Sequence, residues 1–408
     1  MVRAEAVAHR WPQFLPDGRH FLYVAEGRLP QTSTTYVASL GSESRVALLE
    51  NVGSPAFFAA PHYLLYVRDR VLMAQRFDLR ALTLEGAPVA IASNVAFPTL
   101  TNGGVVSAAR SLLAIWGGPA DHRLAWFNRA GERTGAVEAP TALHNPEFSP
   151  DNRQLLAQGD TDRPGIWVVD LERGAPMNVV PEGVAPTWSP DGGEIAFVVA
   201  TPRGREVRVR PVKSGAAADR ALHVEAGSSI VADWSGDGRF LLYSVGGTSG
   251  SRDVWVLPMD GSGPAHAYLR SAANEVQSRL APGGDWVAYA SDESGVWEVY
   301  VESFPLPGVK RVISVGGGAE PQWRRDGREL FYVAPDGTMM AVEMELGEAF
   351  GVGHPKPLFR APLSGDLSSY RNRYAVTADG QRFLIDATDR PELPPLEIIV
   401  NWTSLLTR

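Results

Sequence analysis

The sequence predicts an all-β chain of repeated four-stranded antiparallel sheets, and three observations predict it. One pattern recurs: a large apolar residue, a tight Pro-Asp-Gly-type turn, then a continuous apolar run. It is plain seven times, in HRWPQFLPDGRHFLYV (9–24), NPEFSPDNRQLLA (145–157), APTWSPDGGEIAFVV (185–199), VADWSGDGRFLLYSV (231–245), VQSRLAPGGDWVAYA (276–290), EPQWRRDGRELFYVA (320–334) and RYAVTADGQRFLIDA (373–387). The step between clear turns is 40 residues from Asp151 to Asp191, 46 from Asp191 to Asp237 and 53 from Asp326 to Asp379. That spacing is the length of a four-stranded propeller blade and excludes shorter solenoid repeats. No stretch of 3.6 period is long enough to count as a helix.

Two weaker copies, SPAFFAAPHYLLYV (54–67) and GGVVSAARSLLAIW (103–116), bring the number to nine. In each copy the segment before the turn is a first strand. The run after it, such as Phe240-Leu241-Leu242-Tyr243, is a second strand buried on both faces. A third follows, from TTYVASL (34–40) in the first copy through HRLAWFNR (122–129) in the third to LEIIVNW (396–402) in the ninth. Several of these alternate apolar and polar, as strands with one wetter face do. A fourth, poorer strand closes most copies, for example PVAIAS (88–93) and KRVISV (310–315). The ninth copy lacks one, and VRAEAVA (2–8) stands where it would complete the last blade. The expectation is a single closed β-propeller over residues 1–408, with blade motifs starting near 9, 54, 103, 145, 185, 231, 276, 320 and 373. Closure would remove the open sheet edges. Eight blades is the alternative, should one eroded copy pack irregularly.

Composition narrows function by exclusion. With 38 Lys and Arg against 46 Asp and Glu, the formal charge is −8, and no basic stripe exists to meet phosphates, so nucleic acid is not an expected partner. There is no cysteine, which removes disulfides, thiolate metal sites and cysteine nucleophiles. The start lacks the apolar core of a signal peptide, and no run of about 18 apolar residues spans a bilayer, so no membrane insertion is expected of this chain. No G-x-S-x-G, H-E-x-x-H, P-loop or dinucleotide fingerprint occurs, and the eight histidines show no ligand spacing. The expectation is a non-enzyme with no cofactor, no metal and no catalytic residues.

Asp17, Asp151, Asp191, Asp237, Asp326 and Asp379 hold one position of the repeat. An active site would single one out, so they read as turn residues that accept local backbone hydrogen bonds while Gly takes positive φ. The aromatics before the turn (Phe14, Phe57, Phe148, Trp188, Trp234, Trp323) read as inter-blade core rather than as sugar platforms, because they recur at one place. Ligand residues belong on the opposite face, where loops vary on a rigid frame. Before the first strands stand the candidate binding residues His144, Asn145, Glu147, Asp233, Gln277, Arg279, Glu320, Gln322, Tyr370, Arg371 and Arg373. The second-to-third loops add Asp160, Asp162, Arg163, Arg203, Arg205, Arg252, Asp292 and Glu293. A polar ring of mixed sign suits a peptide, a protein segment or a small charged ligand at the channel mouth.

The repeats resemble those of TolB-like propellers. Several stretches are more narrowly similar to the propeller region of bacterial Hanks-type serine/threonine kinases: HRWPQFLPDGRHFLYV, LLYVRDRVLMAQRFD (64–78), RLAWFNRAGERTG (123–135), SRDVWVLPMDG (251–261), GGGAEPQWRRDGRELFYVAPDGTMMAV (316–342) and IVNWTSLL (399–406). The resemblance implies a sensor or scaffold module with a protein or peptide partner, outside the cytoplasmic membrane if it belongs to such a kinase and cytoplasmic otherwise. It implies no kinase activity, since no H-R-D, D-F-G or β3 lysine motif is present. Two alternatives are a gating propeller of a prolyl-oligopeptidase-type enzyme and a metal-dependent propeller lactonase or lyase. Ligand identity and oligomeric state are not legible in the residues.

Overall fold

The structure is a computed structural model. It describes residues 8–407 except 27–32, 43, 51, 53, 69–70, 94, 96–105, 110–111, 117–121, 161–162, 202–203, 213–218, 223–227, 247–250, 348–349, 364–371 and 389–395. Among the described residues there are nine antiparallel sheets, and no helix is long and apolar enough to cross a membrane. The chain divides into two compact units, Met1–Ala120 with Glu392–Arg408, and Asp121–Pro391.

The first unit holds three sheets. Ala8–Phe14, His20–Glu26, Thr34–Ser39 and Arg45–Glu50 form one; Phe57–Ala59, Tyr63–Arg68, Val71–Asp78 and Thr83–Ala92 form the next. The third has the order Leu396–Val400, Leu112–Trp116, Val106–Ala109. Leu22 and Val37 pack on Leu64 and Phe77 between the first two sheets. Leu65, Val67 and Leu72 pack on Leu113, Ile115 and the fully buried Trp402 between the second and third.

The second unit holds six sheets, numbered I to VI. Sheet I has the order Arg133–Ala136, His122–Asn128, Arg382–Thr388, Tyr374–Val376. The first strands of sheets II to VI are Leu143–Phe148, Gly183–Trp188, Ser228–Trp234, Glu275–Leu280 and Ala319–Trp323. Each touches the next, and Tyr374–Val376 of sheet I touches both Ala319–Trp323 and Leu143–Phe148, so the contacts run in a cycle. The second strands are the apolar runs after the turns, and they are sealed on both faces. Leu155, Leu156 and Ala157, Leu241, Leu242 and Tyr243, and Phe383, Leu384 and Ile385 all have zero exposure. Burying each such leucine contributes roughly 1.5–3 kcal/mol, so these strands carry most of the packing energy.

Two strand assignments differ from the order of the copies. HRLAWFN pairs with the ninth copy, His122 opposite Thr388 through Asn128 opposite Arg382. LEIIV pairs with the third copy, Leu396 opposite Trp116 through Val400 opposite Leu112. Packing explains the exchange: Ala125 and Phe127 fill a core with Phe383 and Ile385, and Leu124 fills another with Leu143 and Leu155 on the opposite face. The ninth copy is therefore completed by 122–136, not by the N-terminal strand. Residues 2–7 lie outside the described residues, and Ala8 begins a first strand opposite Glu26. In sequence the second unit is thus inserted between two paired strands of the first.

The Asp turns are local hydrogen-bond knots. In Ser149-Pro150-Asp151, Ser189-Pro190-Asp191 and Ser235-Gly236-Asp237 the serine Oγ donates to Asp Oδ1 at 2.6, 2.6 and 2.7 Å. The same aspartate oxygen accepts the N–H two residues on, at 3.0, 2.9 and 3.0 Å. Gly192 and Gly238 take φ +68 and +76, the conformation glycine adopts without steric cost. At Asp17 the His20 side chain, then the His20 and Arg19 amides, hold the carboxyl down to about 2. Asp191→Ala is expected to cost about 1 kcal/mol, read as a lower urea midpoint, with no change in ligand binding. The aromatics ahead of the turns are less uniform than the repeat suggests. Trp188 and Trp323 are buried, Phe148 and Trp234 are half-buried, and Phe14 is 58% exposed.

Candidate functional site

The sequence-predicted ring converges on the inner strands of the second unit, and a backbone device sets its direction. The ladder between first and second strand slips once in each of sheets II to VI. At the slip Asn145, Ala185, Gln277 and Glu320 take φ of 52, 49, 56 and 58. These are β-bulges, which re-aim a side chain that alternation would place elsewhere. Each stands three residues before the large residue of its turn.

The bulges bring side chains from one sheet onto the backbone of another. Gln158 Oε1 accepts the Ala185 N–H at 3.2 Å, and Gln277 Oε1 accepts the Glu320 N–H at 2.8 Å. Asn145 Oδ1 accepts the Asn372 N–H at 2.9 Å. One step further along, Glu147 accepts Trp188 N–H and Thr187 Oγ1–H, both at 2.9 Å, and Asp233 accepts Leu280 N–H at 2.7 Å. These groups knit neighbouring sheets, so they stand as frame rather than as free ligand contacts. Gln322 projects its Nε2 into the interior with no hydrogen-bond partner among the described residues. Tyr370, Arg371, Asp162 and Arg203 lie outside the described residues.

Charge concentrates at three inner points. Arg279 lies 3.5 Å from Glu147 and 3.7 Å from Asp233, and also donates to Ala232 O. Sheets II and V stand three places apart in the cycle of six, so this guanidinium spans the axis. Burial pushes both Glu147 and Asp233 up, and Arg279 opposes it. Arg373 pairs with the fully buried Glu320, Nε and Nη2 each 2.6 Å from Oε1. His144 Nδ1 lies 2.7 Å from Asp386 Oδ2, and His122 Nδ1 lies 3.4 Å from Oδ1. Burial pushes Asp386 up, yet the bonds from His122 and His144 outweigh it and hold the carboxyl at about 2. A cavity of about 20 Å³ lined by Val231, Ser244, Val276, Gln277 and Asn372 has room for one water.

Asp386 and His122 were missed by sequence reasoning, although a carboxylate inside the apolar run FLIDA is itself a signal, since a buried charge needs partners. Also missed was the carboxyl pair at the mouth end of sheets IV and V. Glu275 is 3% exposed and Asp253 is 9% exposed. Ser271 Oγ donates to Glu275 Oε1, while Glu275 Oε2 and Asp253 Oδ1 are buried with no hydrogen-bond partner among the described residues. Burial, then Asp253 and Glu293, raise Glu275 to about 7 against the pull of Ser271 and Lys310. At the starts of the third strands of sheets III and IV, burial and the neighbouring Arg252 hold Arg205 below the usual arginine value. Among the described residues no group of three or more His, Cys, Asp or Glu is placed to hold a metal ion.

Cyclic first-strand contacts, four-stranded sheets and the repeated Asp turn are the frame in which known proteins can be compared. Residues 177–349 match the family model of the TolB beta propeller domain, PD40. A protein described as TolB from Agrobacterium tumefaciens has a TM-score of 0.53 at 19% identity, covering 66% of this chain and 98% of that one. TolB from Acinetobacter baumannii has a TM-score of 0.46 at 14% identity, covering 74% and 81%. The Agrobacterium likeness is one of fold, and that fold is the β-propeller. In sequence, Tricorn protease homolog 1 of Streptomyces coelicolor is 34% identical over 134 residues, 32% of this chain and 12% of that protein's length.

Proposed function

We propose that Asp121–Pro391 is a six-bladed TolB-type propeller that works as a non-enzymatic binding module, taking a peptide or small charged ligand at the channel mouth. The observation that carries this reading is the sign pattern there. Asp253 and Glu275 each keep one buried carboxyl oxygen with no hydrogen-bond partner among the described residues, Arg270 lies 3.6 Å from Asp253, and Arg205 and Arg252 lie close enough to feel each other's charge. Arginines fit a carboxylate through parallel hydrogen bonds, and buried carboxyl oxygens fit an ammonium. A ligand with both, such as a peptide terminus with its neighbouring charges, matches the two halves at once. The resemblance to kinase-associated propellers supports placing the module as the sensor part of a larger receptor. In that setting the ligand would be a signal rather than a substrate.

Calorimetric titration with tetra-alanine bearing free termini tests the reading. Saturable binding is expected, weakened at least about tenfold by Arg205→Ala and by capping the peptide's ends. Equal binding of the free and fully capped peptides, or no binding of either, would sink it. Peptide turnover in the same incubation would overturn the non-enzymatic part.

A second reading has one observation in its favour, the identity shared with Tricorn protease homolog 1. On that reading the propeller serves a peptidase carried elsewhere, and the mouth presents peptides to it. Copurification of a peptidase with the full chain, lost in Arg205→Ala, distinguishes it.

A further inference from the structure

On the hairpin face of the second unit, neighbouring turns seal against each other in a regular way. A Cβ built on Gly192 would lie 3.4 Å from Pro150, one on Gly238 3.6 Å from Pro190, and one on Gly327 3.7 Å from Pro282. A proline in one turn thus rests on a glycine in the next at junctions II–III and III–IV, and at V–VI Pro282 shares the place with Leu346, whose Cδ1 lies 3.1 Å from the same Cβ. At VI–I the Arg324 side chain does the filling, with its Cδ 2.9 Å from a Cβ built on Gly380. At IV–V, where Gly236 replaces the proline, the buried Phe304 packs edge-on against Phe240 at 5.3 Å.

Junction I–II has none of these fillers. Ala378 stands at the proline position, Asn152 at the glycine position and Leu171 at the position of Phe304. A groove of about 430 Å³ opens there, lined by these three with Trp126, Phe148 and Arg382. Trp126 stacks on Phe148 at 5.5 Å and 15°, and the Arg382 guanidinium lies 4.9 Å over Trp126. The indole N–H of Trp126, the Asn152 side-chain amide and the Arg382 guanidinium make no hydrogen bond among the described residues, while the Asn152 backbone N–H goes to Ser149 O.

We propose that this groove binds a proline-containing segment of a partner protein in extended polyproline II form, one ring taking the place that Pro150, Pro190 and Pro282 take at the other junctions. The chain itself shows what fits between two such turns, a proline ring at three junctions, an arginine stem at VI–I and a phenylalanine at IV–V, and at I–II it supplies none of them. An aromatic wall suits pyrrolidine rings, and a polyproline II backbone leaves its carbonyls unpaired. Three donors at the rim are available to meet them. The site lies on the opposite face from the channel mouth and does not depend on what binds there.

The test is a titration of the full chain with acetylated, amidated decaproline, followed by calorimetry and by NMR shifts. A Gly-Ser decapeptide and cellotetraose serve as counter-probes. Saturable decaproline binding is expected, unchanged in Arg205→Ala and weakened at least about tenfold in Trp126→Ala. The decisive variant is Ala378→Pro with Asn152→Gly, which restores the pair found at the other junctions. It is expected to keep or raise the melting temperature while losing the binding, so loss of fold is not an explanation. Absence of decaproline binding, equal binding of the Gly-Ser peptide, retained affinity in the double variant, or Trp126-dependent binding of cellotetraose instead would each overturn the proposal.

Discussion

Glu320→Ala is expected to destabilise the second unit by about 3–5 kcal/mol, the largest effect of any single substitution considered. Glu320 has zero exposure and closes the junction between sheets VI and I. Its carboxylate accepts the Arg373 N–H at 2.6 Å and the Arg373 Nε–H at 2.6 Å, while its carbonyl accepts Tyr374 Oη–H at 2.8 Å. Truncation takes away the carboxylate that the Arg373 Nε and Nη2 both meet, and that guanidinium is 5% exposed. The cost comes from burying a charge that has lost this partner rather than from the lost attraction, because a buried pair gains little over apolar residues of the same volume. Glu320→Leu combined with Arg373→Met is therefore expected to be milder than Glu320→Ala alone. Denaturant unfolding followed by tryptophan fluorescence and circular dichroism checks both. A loss below about 1 kcal/mol for Glu320→Ala would show that the pair does not hold the junction.

The second large effect is one of pH. Glu275 titrates at about 7 in the folded protein and near 4.5 when unfolded. Below 4.5 both states hold the proton. Between 4.5 and about 7 the unfolded chain releases it while the folded chain keeps it, so stability falls as pH rises and levels off above 7. The span corresponds to about 3 kcal/mol, an upper figure because the mouth admits some water. Asp253, Glu293 and Lys310 face the same carboxyl, and only Lys310 favours its ionisation. Glu275→Gln removes the titration, so the difference between wild type and variant should grow from pH 4.5 to 7. A difference that stays flat over that range would mean that the carboxyl is solvated.

The turns were legible because their chemistry is local. Ser149, Asp151 and the residue two on settle the hairpin among themselves, so sequence order suffices. The buried second strands were legible for a similar reason, since an unbroken apolar run such as Phe240-Leu241-Leu242-Tyr243 has no face to give to water. Partnership was not legible. HRLAWFN and LEIIV both read as third strands, and nothing in their alternation says which second strand each meets. Volume decides it, when Phe127 finds Phe383. Most of the candidate polar residues stand on the first strands of the second unit, and what they do there depends on bulges that no glycine marks. Asn145, Gln277 and Glu320 enter positive φ as ordinary residues, and the turn of the backbone converts candidate ligand contacts into ties between sheets.

The insertion of Asp121–Pro391 between Leu112–Trp116 and Leu396–Val400 also sets an order of events during synthesis. His122 leaves the ribosome 266 residues before its partner Thr388. The third sheet of the first unit must wait longer still, for Leu396–Val400. Both closures join residues separated by more than half the chain, and long-range pairings of this kind are slow to form. The strand His122–Asn128 has Arg133–Ala136 to pair with from the start, but its other edge stays open until then, and that edge is the one a nascent-chain chaperone would have most reason to cover.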